Sequence, residues 1–290
     1  MNIIDGNAIS AAIKAEISAE VAELIDNGKE APHIATLIVG EDGASKTYVN
    51  SIERKSKEVG VTVSVYQLPE NSSEEEVLNV IDFVNKDDEI DGFILQLPLP
   101  KHLDQEKIIA RINPEKDIDC FTEISNGRLM LGKETFVPAT PFGTIELLKR
   151  SGIETEGKKC VVVGRSNIVG KPLALLLLQQ NKQGNATVTV CHSKTEDLKS
   201  ICAEADILFV AIGKAEMITE EYVKPGAIVI DIGIHRIEDA DSPKGYRICG
   251  DVKFDEVAPK TSYITPVPGG VGPMTMSCLL LNTLRAYKKR

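Results

Sequence analysis

Apolar positions recur along this chain in two alternating rhythms. Over residues 7–27 they fall at Ile9, Ile13, Ile17, Val21, Leu24 and Ile25, the spacing that lines one face of a helix, and Gly28 and Pro32 end it. Residues 34–39 (IATLIV) form a short unbroken apolar run, the mark of a buried strand, followed by the turn Gly40-Glu41-Asp42-Gly43. A helix is expected over 45–58 and a second strand over 61–68. Ser72 or Ser73 can cap the next helix, where Glu74, Glu75 and Glu76 suit the first turn and Val77, Val80, Ile81 and Val84 face inward. Residues 91–97 (DGFILQL) predict a third strand, closed by Pro98-Leu99-Pro100, and 104–112 a short helix.

The same alternation continues beyond the boundary segment Pro138-Ala139-Thr140-Pro141-Phe142-Gly143. A linking helix is expected over 143–151, then strands over 160–163, 186–191, 207–211 and 227–232, the last two running into glycine turns at Gly213 and Gly233. Residues 265–275 carry three prolines and three glycines, which predicts a shaped loop rather than helix or central strand. A closing helix over 274–287 can return to the first domain. Alternating strands and helices in both halves predict an α/β protein with parallel sheets. The division expected is 1–142 plus the C-terminal helix 274–290, against 143–273.

The chemistry concentrates at 160–172, CVVVGRSNIVGKP. Four residues of high β preference enter a tight Gly164-Arg165-Ser166 turn, and an apolar run over 168–180 is too long for a strand. Strand, glycine turn and helix begin a dinucleotide-binding unit, in which a helix N-terminus faces a pyrophosphate and glycine lets the backbone approach it. The fingerprint is incomplete, because Ser166 stands where a second glycine is usual and Gly170 comes one residue late. An ordinary βα turn therefore remains open on the motif alone. The following strand ends in His192-Ser193-Lys194-Thr195 with no carboxylate for the ribose hydroxyls. Arg165, Ser193 and Lys194 can instead hold a 2′-phosphate, so the expected cofactor is NADP rather than NAD.

Composition narrows the partners. With 290 residues, 42% hydrophobic and 26% charged, the chain has the make-up of a soluble globular protein, and a formal charge of -10 argues against nucleic acid or an anionic membrane. Cys120, Cys160, Cys191, Cys202, Cys249 and Cys278 show no Cys-x-x-Cys pair, which suits reduced thiols in a cytoplasmic protein and predicts no metal site. Neither a signal peptide nor a membrane span is expected.

Several strings carry a family resemblance: YVNSIERK (48–55), DGFILQLPLP (91–100), NPEKDID (113–119), the TPxG of 140–143, GRSNIVGKP (164–172) and ITPVPGGVGPMT (264–275). In this order, over nearly the whole chain, they resemble the bifunctional methylenetetrahydrofolate dehydrogenase/methenyltetrahydrofolate cyclohydrolases. The resemblance implies two α/β domains flanking a cleft, the C-terminal one Rossmann-like with NADP, a tetrahydrofolate derivative between them, and a homodimer. It further implies that Tyr48 lines the pterin pocket, Gln96 sits at the reacting carbon, Asp119 binds the pterin amine edge, and Pro268, Gly269 and Gly272 close that pocket. Gly164, Arg165, Ser166, Ser193 and Ile234 match positions that contact NADP.

The chain departs from the pattern twice. The family reads Tyr-x-x-x-Lys, with the lysine serving the cyclohydrolase step, and here that position is Ile52. After Asp119 the family continues Gly-Phe-His-Pro, and here Cys120-Phe121-Thr122-Glu123 follow. Removing a hydride from an aminal carbon asks mainly for placement, whereas adding water to the methenyl product asks for a group that gains and loses a proton near neutrality. The expectation is an NADP-dependent dehydrogenase with weak or absent cyclohydrolase activity. Lys55 lies three residues beyond Ile52, about 4.5 Å along the helix axis, and reaches the site only if its stem folds back. Two alternatives stay open: a fully bifunctional enzyme using Lys55 or a water, and a folate-binding protein without catalysis.

Overall fold

The structure, a computed structural model, describes every residue except 42 and 241, and at 44 the backbone alone. The turn expected at 40–43 therefore includes a residue outside the described ones. The chain forms two compact units: Ala12–Pro138 with Met276–Arg290, and Met1–Ala11 with Ala139–Thr275.

In the order of the chain, β1 is Asn2–Ile3, α1 Gly6–Asp26, β2 His33–Val39, α2 Gly43–Glu58, β3 Thr62–Leu68, α3 Glu74–Lys86 and β4 Gly92–Leu95. Then come α4 (Gln105–Ala110), α5 (Glu123–Met130), α6 (Ala139–Arg150), β5 (Lys159–Val163), α7 (Gly170–Leu177), β6 (Thr187–Cys191) and α8 (Leu198–Ala203). The remainder is β7 (Ile207–Val210), β8 (Ile228–Asp231), β9 (His235–Glu238), β10 (Tyr246–Cys249), α9 (Phe254–Val257), β11 (Tyr263–Ile264) and α10 (Gly272–Lys289).

The first unit holds a parallel sheet ordered β3-β2-β4. One face of β2 and β4 packs Ala35, Leu37, Phe93 and Leu95 on Val77, Ile81 and Val84 of α3. Ser73 caps α3 in a reciprocal box with Glu76, which fixes the helix start expected at Ser72 or Ser73. Beyond β4 a parallel bridge pairs Phe93 with Asp117, so Asp119 comes level with Leu95 at the C-terminal edge of the sheet. Asn282 of α10 donates to Ile118 O (2.8 Å) and Val137 O (2.9 Å), tying this helix to the same unit.

The second unit is built on a six-stranded parallel sheet ordered β1-β11-β8-β7-β5-β6. Counted from β5, the five strands from β6 to β11 run 2-1-3-4-5, a doubly wound order whose direction reverses between β5 and β7. Asn2 and Ile3 pair with Tyr263 and Ile264, which brings the first residues of the chain into this sheet.

Three boundaries differ from the sequence expectation. The linking helix starts at Ala139 rather than at 143, and α10 starts at Gly272, inside the stretch read as loop. The reason is shared: Pro141 and Pro273 lie in first turns, where a missing N–H breaks no intrahelical bond. The run read as helix over 168–180 is helical only over Gly170–Leu177. The antiparallel hairpin β9–β10 and helix α5 were not read from sequence, being short and weakly periodic. All six cysteines are free and buried, as their scatter suggested. Among the described residues, no helix is long and apolar enough to cross a membrane, and no cluster of His, Cys, Asp or Glu could hold a metal ion.

Candidate active site

The first unit carries Tyr48, Ile52, Gln96 and Asp119. Tyr48 lies in the second turn of α2 and is half-buried; burial and the nearby charge of Asp119 raise its phenol well above the usual range. Ile52 follows one turn later and is 0% exposed, packed into the core of the unit. Lys55 points elsewhere: its Nζ lies 3.6 Å from Glu58, which also pairs with Lys14. Arg54 is exposed. Gln96 stands at the end of β4, its backbone N–H on Leu37 O (2.9 Å) and its Nε2 on Leu97 O (3.0 Å).

Asp117 and Asp119 form an unequal pair. Asp117 is buried and accepts the N–H groups of Phe121 (2.9 Å) and Thr122 (2.8 Å). Asp119 accepts none among the described residues, and burial, aided by the charge of Asp117, pushes its carboxyl up to about 7. The residues that replace the family's Gly-Phe-His-Pro here have local roles. Cys120 adopts φ 58, a left-handed conformation that glycine takes freely and cysteine at a cost of about 1 kcal/mol. Thr122 caps α5 by accepting from Ser125 N, and Glu123 sits exposed in the first turn, where a negative charge suits the helix dipole.

The second unit carries the dinucleotide motif at the C-terminal ends of β5 and β6. Gly164 has φ 134, and a Cβ there would stand 2.2 Å from Ala211 O; one on Gly170 would stand 2.2 Å from Gly164 O. Only glycine lets β5, β7 and α7 meet this closely. Ser166 occupies the usual second-glycine position, and its Oγ accepts from Val169 N (3.2 Å) and Gly170 N (3.4 Å) just before and at the start of α7. The open donors therefore move back one turn: among the described residues, the backbone N–H groups of Arg165, Ser166, Asn167 and Ile168 meet no acceptor. Four adjacent N–H groups without a protein partner are donors that an anion can use.

Since Val163 pairs with Cys191, Arg165 and Ser193 leave adjacent strand ends together. Arg165, Ser193 and Lys194 are exposed, and neither cation has an ion-pair partner among the described residues. Ile234, two thirds exposed at 66%, follows β8 at the level of Gly213 beyond β7. Pro268, Gly269 and Gly272 lie in this unit as well, Pro268 after a cis peptide bond and Gly269 at φ 106. Gly272 opens α10.

Sequence reading missed Asp231, Asp251 and His235. Asp231 ends β8 and accepts from Gly233 N, Asp251 N and Val252 N; burial pushes its carboxyl up to about 7 against the pull of those donors. Asp251 accepts from Ile212 N (2.6 Å), Gly213 N (3.1 Å) and Lys214 N (2.8 Å), and His235 Nε2 lies 2.7 Å from its Oδ1. The available signal was a carboxylate ending an otherwise apolar strand, IVID, and a Gly-Asp pair twenty residues later.

A doubly wound parallel sheet with a glycine-held βα turn beside its switch point is the architecture of dinucleotide-binding domains. The comparisons agree and go further. Residues 4–119 match the catalytic-domain model of tetrahydrofolate dehydrogenase/cyclohydrolase, and 138–290 match its NAD(P)-binding domain. The chain belongs to the tetrahydrofolate dehydrogenase/cyclohydrolase family. It is 53% identical to the bifunctional protein FolD of Bacteroides thetaiotaomicron, covering 100% of this chain and 99% of that one. The crystal structure of the FolD dehydrogenase/cyclohydrolase from Campylobacter jejuni matches with TM-score 0.93 at 44% identity, covering 100% and 99%. That of Trypanosoma brucei, complexed with NADP cofactor and an inhibitor, matches with TM-score 0.90 at 38% identity over 99% and 97%. The family, the two-domain α/β fold and a nicotinamide cofactor expected from the sequence all stand.

Proposed function

We propose that this protein oxidises 5,10-methylenetetrahydrofolate to 5,10-methenyltetrahydrofolate with NADP, and that it hydrolyses the product to 10-formyltetrahydrofolate weakly or not at all. The observation that carries the second half is Ile52, an aliphatic side chain with 0% exposure at the position where the family resemblance expects lysine. Bound NADP supplies the hydride acceptor. The chain supplies placement: the loop N–H groups of 165–168 hold the pyrophosphate, Arg165, Ser193 and Lys194 the 2′-phosphate, and Ile234 the apolar end. On the folate side, Tyr48 lines the pterin pocket, Gln96 faces the one-carbon unit, Asp119 receives the pterin N–H groups, and Pro268, Gly269 and Gly272 contribute the loop. The division of labour proposed is 1–142 with 274–290 for folate and 143–273 for NADP, although residues 1–11 and 139–142 pack in the second unit. A cytoplasmic homodimer, with no membrane or nucleic-acid partner, completes the reading.

A second reading has support of its own. The relatives are named bifunctional, and Asp119, with a carboxyl near 7, is of the right kind to exchange a proton. In that version the chain runs both steps without the lysine. A folate-binding protein without turnover is the third. One assay separates them: purified protein is given methylenetetrahydrofolate and NADP, and NADPH, methenyl and formyl products are followed together. NADPH with accumulating methenyl compound supports the proposal. Formyl product keeping pace with NADPH favours the bifunctional enzyme, and binding without NADPH the third reading.

A further inference from the structure

Two buried carboxylates of the second unit do nothing in the chemistry above, yet they tie together the turns at the ligand edge of the sheet. Asp251 is 0% exposed and wrapped by three consecutive N–H groups, those of Ile212, Gly213 and Lys214, which form the turn leaving β7. Its fourth contact is His235 Nε2 at 2.7 Å; a carboxylate only accepts, so the imidazole carries its proton on that nitrogen. His235 opens β9 next to Ile234. The fit leaves no slack: a Cβ on Gly233 would stand 2.4 Å from Asp251 Cγ.

Asp231 holds the other side of the knot. Its Oδ1 receives Gly233 N and Asp251 N, both at 3.0 Å, and its Oδ2 receives Val252 N at 2.9 Å. Its own N–H donates to Thr265 Oγ1 at 2.7 Å, the first residue of the proline- and glycine-rich loop. A Cβ on Gly250 would stand 1.9 Å from Asp231 Oδ2. The turn after β7, the turn after β8 and the loop after β11 thus share one hydrogen-bonded centre. A core needing only to be filled would use apolar groups, because buried carboxylates are costly unless every lone pair is satisfied.

We propose that Asp251 is a positioning residue for the nicotinamide cofactor, holding the Gly213 turn and, through His235, the Ile234 turn at the spacing cofactor binding requires. The inference rests on the assignment of this edge to NADP. Asp251 touches no reacting atom in this account; it acts through the backbone it organises.

The test is Asp251→Asn, nearly the same shape but unable to accept at all four contacts. KM for NADP and its Kd by calorimetry should both rise about tenfold, the effect of backbone displacement at a binding turn, while KM for methylenetetrahydrofolate stays within twofold. A purely structural role would lower the melting temperature and shift both substrates alike. That result, or a folded variant with unchanged NADP affinity, overturns the proposal. Should Asp251→Asn fail to fold, His235→Leu leaves the carboxylate and its three backbone donors in place; a rise of about threefold in NADP Kd is expected, and no rise overturns the proposal. Wild-type protein that binds no NADP overturns the cofactor assignment itself, an outcome distinct from a variant that binds it normally.

Discussion

Asp117 and Asp119 stand two positions apart and live in opposite surroundings: two backbone N–H groups hold the first, and none among the described residues reaches the second. Burial, aided by the charge of Asp117, raises the Asp119 carboxyl and makes it a group that can carry a proton.

This difference makes stability depend on pH in a stated direction. The carboxyl of Asp119 is raised from 3.8 to about 7 in the folded chain. Below about pH 4 it is protonated folded or unfolded; between there and pH 7 the unfolded chain loses its proton first, so stability falls as pH rises, and above pH 7 the full penalty applies. Asp119→Asn removes it. The variant should melt about 3 °C or more above wild type at pH 8 and close to it at pH 4, with folate binding lost at both. Equal melting shifts at the two pH values would contradict the assignment.

Ile52→Lys reinstates the family residue in a fully buried position. Desolvating an ammonium lowers stability by several kcal/mol unless its tip reaches a polar partner such as the Asp119 carboxyl, whose charge acts on Tyr48. The ratio of formyl product to NADPH should rise at least tenfold, with a lower melting temperature. A variant that folds and still accumulates methenyl compound would mean that more than a lysine is missing.

Lys55→Ala tests the nearest substitute base. Lys55 is engaged with Glu58, and exposed pairs of this kind contribute about 0–1 kcal/mol. Dehydrogenase rate and any residual hydrolysis should stay within twofold of wild type. A tenfold loss of formyl product would show that its stem folds back after all.

Gly164→Ala should be severe. The new Cβ would meet Ala211 O at 2.2 Å and an alanine would be held at φ 134, so roughly 2–4 kcal/mol of stability should go together with NADP binding. Denaturant unfolding and calorimetry read the two losses separately.

Arg165→Ala combined with Lys194→Ala removes the two cations proposed to hold the 2′-phosphate. The preference for NADP over NAD should fall at least tenfold while NAD turnover changes little, since only one of the two cofactors carries the extra phosphate. Parallel losses with both cofactors would move these residues to the pyrophosphate.

Much of this molecule was legible in its residues because the informative features are local. A glycine at a left-handed turn, a serine that caps and an apolar run of strand length each announce themselves within a few positions. Ser166 also acts locally, its Oγ accepting from Val169 N and Gly170 N three and four residues on. The boundaries at Ala139 and Gly272 were misjudged because proline was read as a breaker where it serves as a starter.

What the sequence by itself determined is the alternation of most strands and helices in both halves and the glycine turn after β5. Only the tertiary structure decided where Lys55 points, that Asp117 and Asp119 are unequal, and that Asp231, His235 and Asp251 form one knot. The physical reason is distance along the chain. The backbone groups that hold Asp251 lie 37 to 39 residues away. Which donors surround a carboxylate is set by neighbours that only folding brings within about 3 Å.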